Sequence, residues 1–216
     1  MTNTLHRLGD PEDRLDDFVI VCTTAVGINS EGCAGAKRRF LQIALKHDPV
    51  NVGAGDEEPV PLHRWPREMH RIEDSSTLAV VFDDPGKLQR ALRDIAAADL
   101  GLCINVSGIA HAVDQCCRYA GITRHSVENS LGIKGQTDLL PPRSVLEIAS
   151  LCGHGMVSCN LITRVLELVK KERMSLTKAS EVLCRPCACG VVNPSRAERL
   201  LKGLMDVTGN TNWAAS

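Results

Sequence analysis

The densest group of chemically active residues lies near the C-terminus, where Cys184, Cys187 and Cys189 form the pattern C-x2-C-x-C. Pro186 interrupts any regular helix at this point, and Gly190 leaves the backbone free to bend around a bulky ligand. Thiolates at this density select zinc, copper(I) or iron–sulfur clusters. The pattern therefore predicts a metal site, and three cysteines on one short loop suit three corners of a cubic cluster.

The run from Cys184 to Gly190 resembles the cysteine loops of iron–sulfur proteins, and the resemblance is confined to this run. Its spacing differs from the C-x2-C-x2-C run of bacterial ferredoxins, and no second C-x2-C accompanies it. The resemblance implies a [4Fe-4S] cluster as the cofactor. Zinc is the alternative, because structural zinc sites take four ligands of this kind.

A closed cluster needs a fourth ligand, for which Cys152 is our choice, because glycines on its C-terminal side permit close approach to a ligand. Cys159 is the reserve candidate, and its alternative is a core thiol on the helix that follows. His154 would ligate or donate a hydrogen bond to a cluster sulfide, although a structural histidine is the simpler interpretation. The predicted ligand set is Cys152, Cys184, Cys187 and Cys189.

A glycine-containing stretch, Gly27 to Gly35, separates an expected strand from an expected helix, the place where loops bind phosphate through backbone N–H groups. It matches no known phosphate-binding pattern, so an ordinary turn is the preferred interpretation. Cys33 in this stretch would be a further ligand or a reactive thiol if the loop faces the C-terminal site. Cys22 on the preceding strand is more simply a core residue.

Three other groups of residues have both a structural and a functional interpretation. Cys116 and Cys117 are adjacent on a helix, so their side chains diverge by about 100° and do not easily serve one metal. Basic residues from Arg118 to Gly135 suit a small anionic ligand or a solvated surface. Residues 164–202 carry nine Lys or Arg against four Asp or Glu, which suits a solvated face or a docking patch for an acidic redox partner protein.

The elements that would position these residues begin with a β-branched run, Phe18 to Val26, followed by a helix-like segment, Ala36 to His47. Thr77 to Phe82 is strand-like, Asp84 and Pro85 begin a helix, and Leu102 to Val106 is again strand-like. Strand, capped helix and strand predict a βαβ unit that crosses over onto a parallel sheet.

The C-terminal part has helical periodicity instead. Leu161 to Lys171 is amphipathic, Ser175 is a predicted N-cap, and Asn193 caps a further helix that begins with Pro194. The predicted fold is therefore α/β, with a βαβ unit and parallel strands in an N-terminal domain, residues 1–140. A helical, cysteine-rich, metal-binding region, residues 141–216, is expected to pack on it.

Composition limits the partners and the compartment. The net charge of −1 and the aromatic content of 3% argue against a nucleic-acid partner. No run of about 18 apolar residues suits a membrane span, and no leader is recognisable at the N-terminus. We therefore expect a cytoplasmic protein, where disulfides are disfavoured, so the 10 cysteines call for another explanation. A homo-oligomer is left open.

Three functions are compatible with a cluster. The chain would pass single electrons to a partner, or deliver a cluster or metal as an accessory protein, or act as an enzyme on a small anionic substrate. In the enzyme, Cys152, Cys187 and Cys189 would hold the cluster, and one open iron would act as a Lewis acid. The chain is longer than an electron carrier needs to be, which favours a binding or catalytic role. However, the spacing of the sequence shows no recognisable pair of acid and base residues.

Overall fold

The structure is a computed structural model that describes residues 4–55 and 59–207. The chain folds into two compact units, and both units are discontinuous in sequence. The first, here called the sheet unit, has residues 10–55, 59–127 and 188–191. The second, the helical unit, has residues 4–9, 128–187 and 192–207.

The sheet unit is built from four strands and four helices. Its sheet order is β2-β3-β1-β4, and every neighbouring pair of strands is antiparallel. Short 3-10 turns lie at Glu12–Arg14, Leu62–Arg64 and Met69–Arg71. The elements in chain order are β1 (Phe18–Thr23), α1 (Ala34–Leu45), β2 (Asn51–Gly53), α2 (Trp65–Glu68), β3 (Leu78–Phe82), α3 (Pro85–Ala97), β4 (Cys103–Ser107) and α4 (Ala110–Tyr119).

The predicted parallel sheet is wrong. The β3–α3–β4 crossover exists, and its two strands run in the same direction, but they do not pair. β1 lies between them and is antiparallel to both, so that Val19 stands opposite Val81 on one side and Ser107 on the other. This is the split βαβ arrangement of ferredoxin-like folds, a description of architecture that carries no function with it.

One face of the sheet packs against the helices of this unit. Phe18, Ile20 and Cys22 of β1 are fully buried on this face, as the period of two requires for alternate residues. α3 covers it with the predicted apolar stripe, in which Leu88, Ala91, Leu92 and Ile95 are buried. The predicted cap of α3 is confirmed, because the Asp84 side chain accepts a hydrogen bond of 2.7 Å from the Lys87 N–H.

The helical unit contains α5 (Arg143–Ala149), α6 (Cys159–Lys170), α7 (Leu176–Cys184), α8 (Pro194–Val207) and a 3-10 turn, Thr137–Leu139. The predicted caps are confirmed: Ser175 accepts from the Lys178 N–H at 3.2 Å, and Asn193 accepts from the Arg196 N–H at 3.0 Å. Within the described ranges, no helix has both the length and the apolar character needed to span a membrane.

The N-terminal residues of this unit are tied to the turn after α5. The Leu8 N–H donates to the Ser150 hydroxyl at 3.0 Å, and the Arg7 guanidinium donates to the Leu151 carbonyl at 3.1 Å. Arg196 of α8 in turn donates to the Leu8 carbonyl at 2.6 Å. Both arginines are buried, so these residues hold the backbone that leads directly into Cys152.

Candidate metal centre

The first part of the candidate site is the turn at the end of α7. Cys184 is the last residue of this helix, and the Cys187 N–H donates to the Cys184 carbonyl at 3.0 Å to close the turn. The helix stops before Pro186, as predicted. Cys187 is buried, with an exposed fraction of 2%, and Cys184 is half-buried. The C-x2-C spacing thus places two thiols on one compact turn.

The second part is the turn that follows α5. The Gly155 N–H donates to the Cys152 carbonyl at 3.0 Å, and Gly155 has a φ of 68°, a left-handed conformation that favours glycine. The backbone N–H groups of His154 and Met156 donate hydrogen bonds to the Cys152 sulfur. Such N–H donors stabilise a thiolate and are among the contacts that tune cluster sulfurs. Gly155 thus shapes this turn, and access of a ligand to Cys152 stays a prediction.

The two turns meet at their sulfurs. The thiols of Cys152 and Cys187 are hydrogen-bonded to each other, and this contact, followed by burial, raises the pKa of Cys152. Burial raises the pKa of Cys184 to about 12, and the charges of Cys187 and Glu181 add to that rise. The helical unit therefore brings together Cys152 and Cys187 by contact, with Cys184 inside electrostatic range.

These thiols do not form a finished ligand shell. Among residues 4–55 and 59–207, no group of three or more His, Cys, Asp or Glu side chains is arranged to hold a metal ion. The donor chemistry nonetheless fits a soft metal or a cluster, because it consists of thiols. A bound metal would require these thiols to ionise and to turn toward a common centre.

Cys189, the remaining predicted ligand, belongs to the sheet unit. Its backbone lies directly on β2: a Cβ atom built on Gly53 would stand 2.4 Å from the Cys189 carbonyl carbon and oxygen. Gly190, with a φ of 64°, makes the reciprocal contact with the Gly53 backbone. Gly190 is thus required for close backbone packing in addition to its turn. A ligand role for Cys189 stays a prediction.

The glycine-containing stretch before α1 is closed by a carboxylate from elsewhere in the sheet unit. Asp74 accepts hydrogen bonds of 2.7 Å from the N–H groups of both Gly32 and Ala34. These bonds hold the pKa of Asp74 below its ordinary value. The N–H groups that would bind a phosphate are therefore already used, which supports the ordinary-turn interpretation. Nothing in the sequence around Asp74 signals this role.

Cys33, for which the sequence left open a role as a further ligand or as a reactive thiol, lies beside Asp74. Its thiol donates to the carbonyls of Ser30 at 3.3 Å and Asp74 at 3.5 Å, and it is buried at the start of α1. The ammonium of Lys37, also buried, donates to the same Asp74 carbonyl at 2.6 Å. Cys33 and Lys37 thus hold the loop that contains Asp74 against α1. Cys22 is a core residue, as expected.

The structure also shows the burial and contacts of the remaining candidate residues. Cys116 and Cys117 are both buried in the core of the sheet unit, and the Cys116 thiol contacts the Pro85 carbonyl at 3.6 Å. Cys159 is the first residue of α6 and is partly exposed, and His154 is exposed. Of the basic residues that suggested an anionic ligand, Arg124 pairs with Asp114 at 2.6 Å.

Comparison with known proteins identifies no relative of this chain. No protein-family model matches the chain, and neither the curated proteins nor the solved structures provide a match to it.

Proposed function

We propose that this protein binds an iron–sulfur cluster, with Cys152, Cys184 and Cys187 as thiolate ligands in the helical unit. The observation that carries the proposal is the hydrogen bond between the thiols of Cys152 and Cys187. It joins two cysteine turns that are remote in sequence, one of which follows α5 and the other α7. Buried thiols that meet in this way are a suitable starting arrangement for a soft metal.

Two backbone N–H groups favour a thiolate at Cys152, against the contact with Cys187 and the burial that raise its pKa. The N–H groups of His154 and Met156 already point at it and would lower the energy of its thiolate. The bonds from Arg7 and Leu8 fix the preceding residues, Ser150 and Leu151. The cluster, when bound, would supply electron transfer or a Lewis-acidic iron. The chain's own contribution is to hold the sulfurs and to limit their access to water.

The proposed ligand set is completed by Cys189, from its place two residues after Cys187, and the proposed cluster is a [4Fe-4S] centre. A redox role and a catalytic role on a small anionic substrate both follow from such a centre. The former requires four protein ligands, and the latter leaves one iron open. An accessory protein that carries or delivers a cluster is the alternative.

Structural zinc is the competing metal. The same all-thiol donor set also suits tetrahedral zinc, and burial of Cys187 is compatible with a closed structural site. The two metals differ in a measurable way, because a zinc site has no inorganic sulfide and no visible absorption.

We also propose that the protein is cytoplasmic. None of the 10 cysteines, each of which lies in the described part of the chain, takes part in a disulfide bond. This fits a reducing compartment, where thiols persist.

The test is anaerobic purification followed by a visible spectrum and by iron, sulfide and zinc contents. We expect brown protein with iron and sulfide in equal amounts. Cys152→Ala, Cys184→Ala and Cys187→Ala should each lower the cluster content, whereas the matched control Cys116→Ala removes a buried thiol of the sheet unit and should keep it. Colourless protein with stoichiometric zinc would refute the cluster.

A further inference from the structure

We propose that two copies of this chain form a dimer through β4, by antiparallel pairing of their β4 strands into one continuous sheet. β4 is the strand at one edge of the sheet, and among the described strands it pairs only with β1. An edge strand presents backbone N–H and C=O groups that can pair with a further strand. The proposal concerns the sheet unit and is independent of cluster binding by the helical unit.

The backbone groups at the open edge of β4 belong to Ile104 and Val106. Opposite residues in an antiparallel sheet alternate between hydrogen-bonded and non-hydrogen-bonded pairs. At the far edge of the sheet, Val52 of β2 directs its carbonyl away from β3. A row of opposite residues leads from Val52 through Val80 and Ile20 to β4. The alternation along this row turns the N–H and C=O groups of Val106 away from β1, and those of Ile104, two residues earlier, point the same way.

The opposite edge of the sheet, by contrast, is closed by side chains. The Val52 N–H donates to the side-chain oxygen of Asn51 at 3.0 Å, and the Val52 carbonyl accepts from the Trp65 indole at 3.3 Å. In the part of the chain that the structure describes, no side chain bonds to the outward backbone groups of Ile104 or Val106 in this way. One edge of the sheet is therefore complete, and the other is available to a partner.

β4 also lacks the features by which edge strands avoid pairing with other chains. Its residues, Cys103–Ser107, include no charged residue and no proline, and its pairing with β1 continues without a bulge; charges, prolines and bulges are the usual protection of an edge. The side chains of Cys103 and Asn105 are exposed, and those of Ile104 and Val106 are half-buried against the hydrophobic core. An added strand would cover the apolar surface that these two side chains leave open.

The partner that suits this edge is a second copy of β4. In a two-fold symmetric interface the same surface serves both chains, so it must be complementary to itself. With the axis at Asn105, the N–H and C=O groups of Ile104 meet those of Val106 in the second copy, and the reverse, so that each outward donor finds an acceptor. Asn105 then lies opposite itself. Because β4 carries no charge, this pairing avoids the repulsion that like charges on opposite residues would cause.

The first experiment measures the mass of the full-length protein by light scattering after size-exclusion chromatography in dithiothreitol. With rising concentration, the wild type should approach twice the chain mass of 23.4 kDa. Asn105→Lys places like charges opposite each other at the axis and should stay at the mass of one chain. Gln42→Lys, at an exposed position of α1, is the matched control and should keep the dimer. A wild type that is monomeric at every concentration, or an Asn105→Lys dimer as stable as that of the wild type, would overturn the proposal.

The second experiment tests the position of the axis by cross-linking. In a Cys103→Ser background, Asn105→Cys places a thiol on the axis, where the Cα atoms of opposite residues lie about 4.5 Å apart. Mild oxidation with glutathione disulfide should give a covalent dimer that mass spectrometry shows to be linked through the introduced cysteine. The wild type is the control, because its exposed Cys103 would lie opposite Ser107 of the second copy and should not link to itself. Equal cross-linking through Cys103, or none through the introduced cysteine, would refute this pairing.

Discussion

At the scale of single residues, cysteines in this chain play different parts that sequence spacing separates only partly. The clustering of Cys184 and Cys187 is visible in the sequence, and Cys152 stands out by its glycine neighbours. Their contact in the helical unit depends on tertiary structure, which local spacing does not describe. Cys22 and Cys116, by contrast, are thiols of the hydrophobic core.

Burial of Cys22 predicts a specific loss of stability in alkali. Burial raises its pKa from 9.0 to about 12, and the Lys37 ammonium offsets part of that rise. Because the folded pKa is raised, its contribution to stability is complete below pH 9 and is lost as the pH rises toward 12. The free energy of unfolding should fall by about 1.4 kcal/mol per pH unit from this group.

The measurement is urea unfolding of the wild type and Cys22→Ala between these pH values. The difference in stability between them should shrink as the pH rises. Cys103→Ala removes an exposed thiol and should preserve the wild-type dependence. Parallel pH curves for the wild type and Cys22→Ala would contradict a buried neutral thiol.

Asp74 predicts an effect of opposite sign in acid. Hydrogen bonds from Gly32 and Ala34 lower its pKa from the ordinary value of 3.8, so its contribution is present above that value and is lost as the pH falls through the folded pKa. Asp74→Asn should be less stable than the wild type at neutral pH and should lose less stability on acidification. Thermal unfolding between neutral and acidic pH measures this, with Asp99→Asn as the control. An unchanged acid dependence would contradict these hydrogen bonds to the Asp74 carboxylate.

At the scale of elements, local signals predicted more than pairing signals did. The strands β1, β3 and β4 and the caps at Asp84 and Asn193 follow from apolar runs and from side chains that accept N–H groups. The order of the strands in the sheet does not follow from such local signals. A strand–helix–strand crossover is compatible with two adjacent parallel strands and also with two parallel strands that a third strand separates. β2 was missed, since its three residues, Asn51–Gly53, are too few to show alternation.

The contact of Gly53 with Cys189 and Gly190 gives a prediction for this element. An alanine at Gly53 would place its Cβ 2.4 Å from the Cys189 backbone, so Gly53→Ala should destabilise the protein by about 1–3 kcal/mol through overpacking. Gly35→Ala is the control, because nothing lies within 4 Å of its Cβ position in α1. Gly35→Ala should be neutral or stabilising by up to about 1 kcal/mol.

Chemical denaturation of both variants measures these changes. A Gly53→Ala protein as stable as the wild type would show that the 188–191 segment does not pack on β2 as described. If both alanine variants destabilise equally, the effect is a general one of glycine replacement and not of this contact.

At the scale of the whole molecule, the chain combines an antiparallel sheet unit with a helical unit that holds most of the predicted ligands. The candidate site could be predicted from the sequence as a set of cysteines, but not its state of assembly. For two of the predicted ligands, Cys152 and Cys187, the structure shows a contact between thiols. The central claim is therefore that iron and sulfide convert this thiol pair into a cluster site.

Native mass spectrometry after anaerobic reconstitution tests that claim most directly. The wild type should gain the mass of one [4Fe-4S] cluster, the matched control Cys159→Ser should gain the same mass, and Cys152→Ser should gain none while keeping its helical circular dichroism. A wild type that stays at the mass of the bare chain, or gains only zinc, would contradict the account.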